Sequence, residues 1–271
     1  MGLNWSFTPR NIPRLFYPEL LIWHDLLTQD VAKARHFYAN LLGWKYQTEH
    51  ASNFVWRHGE AEYPLILANG EAHGGLVNPG QNVIYRWIAY VMVQDVDSVT
   101  VKAKNLGSTI IREPFDTPGV GRSSVIQDVQ GAVICPTFPT HTFPIPSGTF
   151  LWDELITDDI ESAKRFYCDL FGWKCHDIDV TQIGRYTVLK SIDNADAGGV
   201  TNQSFCTLGF TVWIPYLATE DVDIAIANAK ALGASVCEEA TYMPNGERKA
   251  ILADPTGAIF GLMASSESCI N

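Results

Sequence analysis

Apolar residues crowd two short stretches, Leu20 to Thr28 and Phe150 to Thr157, and both read as strands. Each is followed by an aspartate, Asp30 or Asp159, placed to cap a helix whose apolar residues recur at helical spacing, as Ala34, Phe37, Tyr38 and Leu41 do in the first. Gly43 and Gly172 stop these helices. Short β-rich stretches follow, among them Asn53 to Trp56, Leu65 to Ala68, Arg185 to Lys190 and Gly199 to Thr201. The pattern then restarts with a strand at Trp87 to Val93 and a helix from about Asp97 to Leu106 ended by Gly107. Two strands close it, at Val125 to Ile126 and Ala132 to Cys135, and Trp213 to Leu262 repeats the same sequence of elements. The chain therefore reads as four βαβββ modules and as an α+β protein.

The restart reflects a duplication. At an offset of 129 residues Trp23 matches Trp152, Thr28 matches Thr157 and Asp30 matches Asp159, and Phe37-Tyr38, Gly43-Trp44 and Lys45 all recur. At an offset of 126, Trp87 meets Trp213, Tyr90 meets Tyr216, and Asp95-Val96-Asp97 meets Asp221-Val222-Asp223. A repeat of this length is a domain and not a solenoid unit. The expected division is an N-terminal domain over 16–138, a linker over 139–148 and a C-terminal domain over 149–266. The linker falls in a proline-rich run that begins at Pro136, where missing donors favour extended chain.

Strand, capping Asp, A/S-x-x-F-Y, then L-L/F-G-W resembles the first module of the vicinal oxygen chelate superfamily, which includes glyoxalase I, extradiol dioxygenases and bleomycin-binding proteins. Tyr90 to Asp97 and Asp254-Pro255-Thr256-Gly257-Ala258 resemble its second module. The resemblance implies tandem domains, each a pair of βαβββ modules forming a curved mixed sheet around a cavity. It is specific for fold and silent on chemistry, because one fold hosts many reactions. In metal-bearing members a His, Gln or Glu stands seven residues before each capping Asp, and a Glu closes the last strand. Here those positions hold Trp23, Ile88, Trp152 and Ile214, with Cys135 and Gly261 at the closing strands. None but Cys135 carries a donor, so the expectation is no metal and no cofactor. A strand slip of one residue would reverse the faces and undo that reading.

Composition narrows the partners. A net charge of -11 without a Lys/Arg cluster argues against nucleic acid. No apolar run is long enough to span a membrane and the start is unlike a signal peptide. Six cysteines without a C-x-x-C pair or matching spacing in the two copies read as thiols of a reducing compartment, hence a cytoplasmic protein, and each domain is long enough to bury its own core. The expected partner is a small molecule, and the chain a two-domain monomer or a homodimer.

Because side chains two apart share a face, Trp23, Asp25 and Leu27 point together into the first hollow, as Trp152, Glu154 and Ile156 do in the second. The second-module strands add Ile88, Tyr90 and Met92, and Ile214 and Tyr216. Each copy thus presents a Trp, a carboxylate and a Tyr, which would suit a largely apolar or aromatic ligand with a donor group. The tryptophans and tyrosines are equally readable as core packing, and the carboxylates as structural partners of Arg122 or Arg248. His24 and Asp153, at equivalent outward positions, read as helix-facing or rim residues, and Gly74-Gly75 and Gly198-Gly199 as tight backbone. Three functions stay open: a metal-independent binding protein; a metal-free isomerase or lyase with Asp25 or Glu154 as general base beside a Tyr; or a metal-dependent dioxygenase or glyoxalase if the ligand alignment has slipped. Of these, Glu154 with Tyr216 is expected to line the better-preserved pocket, since Glu reaches further than Asp.

Overall fold

A computed structural model describes residues 19–54, 56–68, 70–80, 86–140, 148–180, 184–202, 209–242 and 247–264. The first half runs β1 (Leu21–Leu27), α1 (Val31–Leu42), β2 (Lys45–Phe54), β3 (Arg57–Ala68), β4 (Glu71–Val77), β5 (Arg86–Met92), α2 (Val96–Asn105), β6 (Thr109–Thr117), β7 (Gly121–Gln127) and β8 (Val133–Pro139). The second runs β9 (Phe150–Thr157), α3 (Ile160–Phe171), β10 (Lys174–Val180), β11 (Gly184–Lys190), β12 (Asp196–Asn202), β13 (Val212–Thr219), α4 (Val222–Ala231), β14 (Ser235–Tyr242), β15 (Arg248–Ala253) and β16 (Ile259–Ala264). This is the expected α+β arrangement of four βαβββ modules. Each half is one eight-stranded mixed sheet, ordered β2-β3-β4-β1-β5-β8-β7-β6 and, identically, β10-β11-β12-β9-β13-β16-β15-β14.

The four helices begin where an aspartate side chain accepts a first-turn N–H: Asp30 from Lys33, Asp95 from Ser98, Asp159 from Ser162 and Asp221 from Ile224. At the far end of α1 and α3, Gly43 and Gly172 take the left-handed conformation that a side chain resists. The stretch Asn53 to Trp56 is not a strand of its own: β2 ends at Phe54 and β3 starts at Arg57, with Phe54 paired to Arg57 across a tight hairpin. The long β2 carries polar residues such as Lys45, Gln47 and Glu49 and has little apolar signal to read.

The cores are shared between the halves, whereas each domain was expected to bury its own. One cluster joins Leu26, Phe37, Tyr38 and Trp87 of the first half to Leu217, Leu252 and Phe260 of the second; its counterpart joins Ile126 and Ile134 to Leu155, Phe166 and Trp213. Reciprocal bonds tie them. The Tyr38 hydroxyl donates to Asp254 (3.0 Å) and Tyr167 to Asp128 (2.8 Å), while Trp87 and Trp213 donate to those same hydroxyls at 3.1 and 2.8 Å. Such exchange of equivalent contacts is the mark of an approximate twofold axis. Burial raises the pKa of both Asp128 and Asp254, and the tyrosine and backbone donors oppose that rise.

Two further expectations change. The proline-rich run is strand as far as Pro139, with Pro136 opposite Val91 and Pro139 opposite Gly121, while linker residues 141–147 lie outside the described residues. Cys168 at the end of α3 and Cys175 on β10 form a disulfide that spacing had not suggested, because helix and strand meet face to face over only seven residues of chain. Cys135 is a buried free thiol. Among the described residues no helix is long and apolar enough to cross a membrane.

Candidate functional site

The sheet faces turned away from the shared cores form two hollows, and the strand register fixes what enters them. In the first, Asp25 pairs with Ile88, Trp23 with Tyr90, and Tyr90 with Cys135, so all five share a face. Leu27, Ile88, Tyr90 and Cys135 form its apolar floor with Trp23, Trp56, Tyr63 and Phe115 against it. Met92 is buried at the end of β5, opposite Thr137 and apart from that floor. In the second, Trp152, Ile156, Ile214 and Tyr216 stand together with Tyr186 and Met263. The faces are therefore as strand alternation predicts, without a one-residue slip.

Asp25 is 3% exposed. Its carboxylate accepts from the Tyr63 hydroxyl (2.5 Å), the Tyr90 hydroxyl (2.6 Å) and the Trp23 indole (3.2 Å), and Trp56 donates to the Tyr90 hydroxyl (2.9 Å). Burial pushes the carboxyl pKa up, against these bonds, which favour the charged form. Burial and then the Asp25 charge hold both tyrosines well above the usual phenol range, so they stay protonated as donors. Burial likewise raises the Cys135 thiol.

Glu154 is completely buried and differently served. Tyr216 donates to Oε2 at 2.6 Å, and the Lys249 ammonium lies 3.2 and 3.1 Å from its two oxygens and 3.1 Å from the Tyr216 hydroxyl. Trp152 donates to Tyr186 (2.8 Å), whose hydroxyl meets Glu154 in turn. Glu238 faces the same lysine, its pKa raised chiefly by burial. The second hollow is thus closed on an internal ion pair, with Trp152, Tyr186 and Tyr216 no more than 6% exposed, whereas Trp23 and Tyr63 of the first are only half-buried. Glu154 and Tyr216, expected to line the better-preserved pocket, thus stand in the more closed of the two hollows.

The arginines proposed as structural partners are not involved. Arg122 pairs with Asp97 and Asp116, and Arg248 with Asp223, on the outer edge of their strands. Lys249 is the inward residue because it stands one position on from Arg248, on the face of Ile251. His24 and Asp153, expected as helix-facing or rim residues, are buried against each other, Nε2 to Oδ1 at 2.9 Å, with His24 stacked on Phe150. Gly75 and Gly199 have ordinary backbone conformations; what they supply is space. They lie opposite Asp25 and Glu154, and a Cβ would come within 2.1 Å of the Tyr63 ring or 1.9 Å of the Tyr186 hydroxyl. Sequence reasoning missed Tyr63, Tyr186 and Lys249. The two tyrosines do recur, but at an offset of 123 residues, which the shorter second hairpin hides from the main repeat.

The fold's metal positions hold Trp23, Ile88 and Cys135 in one hollow and Trp152, Ile214 and Gly261 in the other. Two indoles, two alkyl side chains, a glycine and a lone thiol do not make a donor set for a divalent cation. Among the described residues no group of three His, Cys, Asp or Glu is placed to hold one. The Asp25 and Glu154 oxygens are taken up by hydroxyls, indole and ammonium.

The family model described as Glyoxalase/Bleomycin resistance protein/Dioxygenase superfamily matches residues 21–135 and 149–262. CFP32 of Mycobacterium bovis, named provisionally as a glyoxylase, is 32% identical over 89% of this chain and 93% of its own length. The anthracycline biosynthesis protein DauV of a Streptomyces species is 26% identical over 93% and 96%. Among solved structures, the halotolerant catechol dioxygenase BphC superposes with a TM-score of 0.60 at 12% identity, over 92% of this chain and 87% of that one. The Mn(II)-bound glyoxalase of Novosphingobium aromaticivorans gives 0.56 at 13%, over 91% and 82%. At such identities the two structures speak for the fold alone.

Proposed function

The chain belongs to the Glyoxalase/Bleomycin resistance protein/Dioxygenase superfamily, and from that membership we propose that it binds a small, largely apolar or aromatic molecule in its N-terminal hollow, without a metal ion. The observation that carries this is Asp25: a carboxylate at the bottom of an aromatic hollow, held by two tyrosines and a tryptophan, with Trp23 and Tyr63 reaching solvent. Apolar walls with few convergent polar groups are what ligand sites offer. A relative named for anthracycline biosynthesis supports an aromatic ligand, and the acidic chain favours a small molecule over nucleic acid. The raised pKa of Asp25 supports a second reading, in which it removes a proton from the bound molecule as a general base beside Tyr90.

A thermal-shift screen of planar metabolites, run with and without a chelator, tests the proposal, because any ligand of the native state raises the melting temperature. The expected result is a hit indifferent to the chelator. A hit that disappears with the chelator and returns with a divalent ion overturns metal independence.

A further inference from the structure

The two hollows are copies of one another that differ in charge. Trp23, Tyr63 and Tyr90 correspond to Trp152, Tyr186 and Tyr216, and Asp25 to Glu154. In the C-terminal copy the carboxylate is answered by a cation: Lys249 Nζ touches both Glu154 oxygens and the Tyr216 hydroxyl and lies 5.2 Å from the centre of the Tyr216 ring. The N-terminal residue equivalent to Lys249 is Ser123. The register establishes this, since Ser123 pairs with Thr137 as Lys249 does with Met263, both 126 residues on. Ser123 is buried and its hydroxyl meets Thr137 at 2.8 Å. Trp56 replaces the lysine as donor to the tyrosine hydroxyl, but an indole N–H brings no charge. The groups that hydrogen-bond Asp25 are Tyr63, Tyr90, Trp23 and Trp56, all neutral, and the Cys135 thiol lies beside it; Arg112 stands over the Phe115 ring at 3.5 Å, where its charge reaches Tyr90 and not the carboxylate's hydrogen-bond shell.

From this difference we infer that the N-terminal hollow takes an aromatic ligand bearing a protonated amine, whose ammonium group stands beside Asp25 and Tyr90 as Lys249 stands beside Glu154 and Tyr216. The C-terminal hollow carries its own occupant and takes no ligand. The inference rests on the N-terminal hollow being the ligand site and adds the charge of what enters it. Three lines converge. A buried carboxylate without a counter-charge is costly, and a cation relieves that cost. Aromatic rings around a carboxylate attract an ammonium through their faces as well as through its charge. Asp is one methylene shorter than Glu and Ser far smaller than Lys, and the Trp56 indole that stands on the tyrosine hydroxyl in the lysine's place brings no charge.

The test compares phenethylamine and tryptamine with their neutral counterparts, phenethyl alcohol and tryptophol, and with the anion hydrocinnamate, by calorimetric titration of the full chain. The amines are expected to bind at one site per chain, at least about tenfold more tightly than the alcohols, and Asp25→Asn to erase that preference. Ser123→Lys, which supplies the internal cation, is expected to abolish amine binding. The pair Glu154→Asp with Lys249→Ser, which rebuilds the N-terminal set in the C-terminal half, is expected to raise the stoichiometry to two. Alcohols or hydrocinnamate binding as tightly as the amines, with Asp25→Asn weakening all alike, would overturn the inference and leave the N-terminal binding site standing. Absence of binding by all five compounds would count against both. Should Ser123→Lys fail to fold, the Asp25→Asn comparison of amine with alcohol decides alone.

Discussion

His24 and Asp153 occupy the same position in the two copies, 129 residues apart, and they meet each other, Nε2 to Oδ1 at 2.9 Å. Only residues on the approximate twofold axis can touch their own equivalent, so this pair marks where the halves join. Its members are at most 6% exposed, and the site is one where duplication has been followed by divergence into complementary types. Two histidines or two aspartates there would leave a buried pair unmatched.

Exchanging them follows directly. His24→Asp alone or Asp153→His alone is expected to destabilise the chain by roughly 3 kcal/mol, since each removes one partner of a buried pair. The double exchange, His24→Asp with Asp153→His, is expected to recover most of that loss in urea denaturation. It should fall short of the native value, because the new histidine would lose the Phe150 stack. A double variant no more stable than the sum of the singles would remove the pair from the interface account.

Glu154 is the second case of a buried partner. Glu154→Gln leaves Lys249 charged and without its anion, and the expected cost is about 3 to 5 kcal/mol. Replacing both, Glu154→Gln with Lys249→Met, is expected to return the protein to within about 2 kcal/mol of the native stability. Thermal or urea melts of the three proteins decide. An equal loss in the single and double variants would mean the pair is not what Glu154 contributes.

Much of this was readable in advance and some was not, and the division has a physical basis. Caps, helix stops and the inward set of Trp23, Asp25, Ile88 and Tyr90 followed from periodicity, which depends only on local backbone geometry. The partners of Asp25 and Glu154 did not follow, because Tyr63, Tyr186 and Lys249 come from strands whose register is set by pairing across the sheet. Arg248 looked the better partner for Glu154 by repetition, since Arg122 repeats it; one residue of strand alternation turned it outward and Lys249 in. The sharing of cores between halves was also invisible, since either half alone has apolar residues enough to suggest a core of its own.

The glycines opposite the carboxylates give a sharper local test. Gly75→Ala and Gly199→Ala each put a methyl group into a tyrosine that reaches over the strand, and each is expected to cost about 1 to 3 kcal/mol. Gly198→Ala meets the Asp153 carbonyl oxygen at 3.0 Å, the Trp213 ring at 3.2 Å and the Leu21 side chain at 3.6 Å, a tighter fit than usual but no overlap. It is expected to cost less than Gly199→Ala. If the two glycine variants of this pair melt together, the space at Gly199 is not reserved for Tyr186.

Asp25 has a pH signature. Burial raises its native pKa above the ordinary aspartate value, so the native chain holds this proton to higher pH than the unfolded chain does. The stability contributed by Asp25 is therefore fully present below about pH 4 and falls as pH rises through the raised value. Asp128 and Asp254 shift the same way, so the informative quantity is a difference between proteins. Relative to the native chain, Asp25→Asn is expected to gain stability as pH rises from acid to neutral. A difference flat with pH would show that burial does not raise the Asp25 pKa.

The measurement that bears most directly on the account is a calorimetric titration of the tightest hit from the planar-metabolite screen into three proteins: native, Asp25→Asn and Tyr216→Phe. The account predicts one site per chain, an affinity at least about tenfold weaker in Asp25→Asn, and an affinity unchanged in Tyr216→Phe. Equal affinity in the native and Asp25→Asn proteins, or a loss confined to Tyr216→Phe, would contradict it and move the binding site out of the N-terminal hollow.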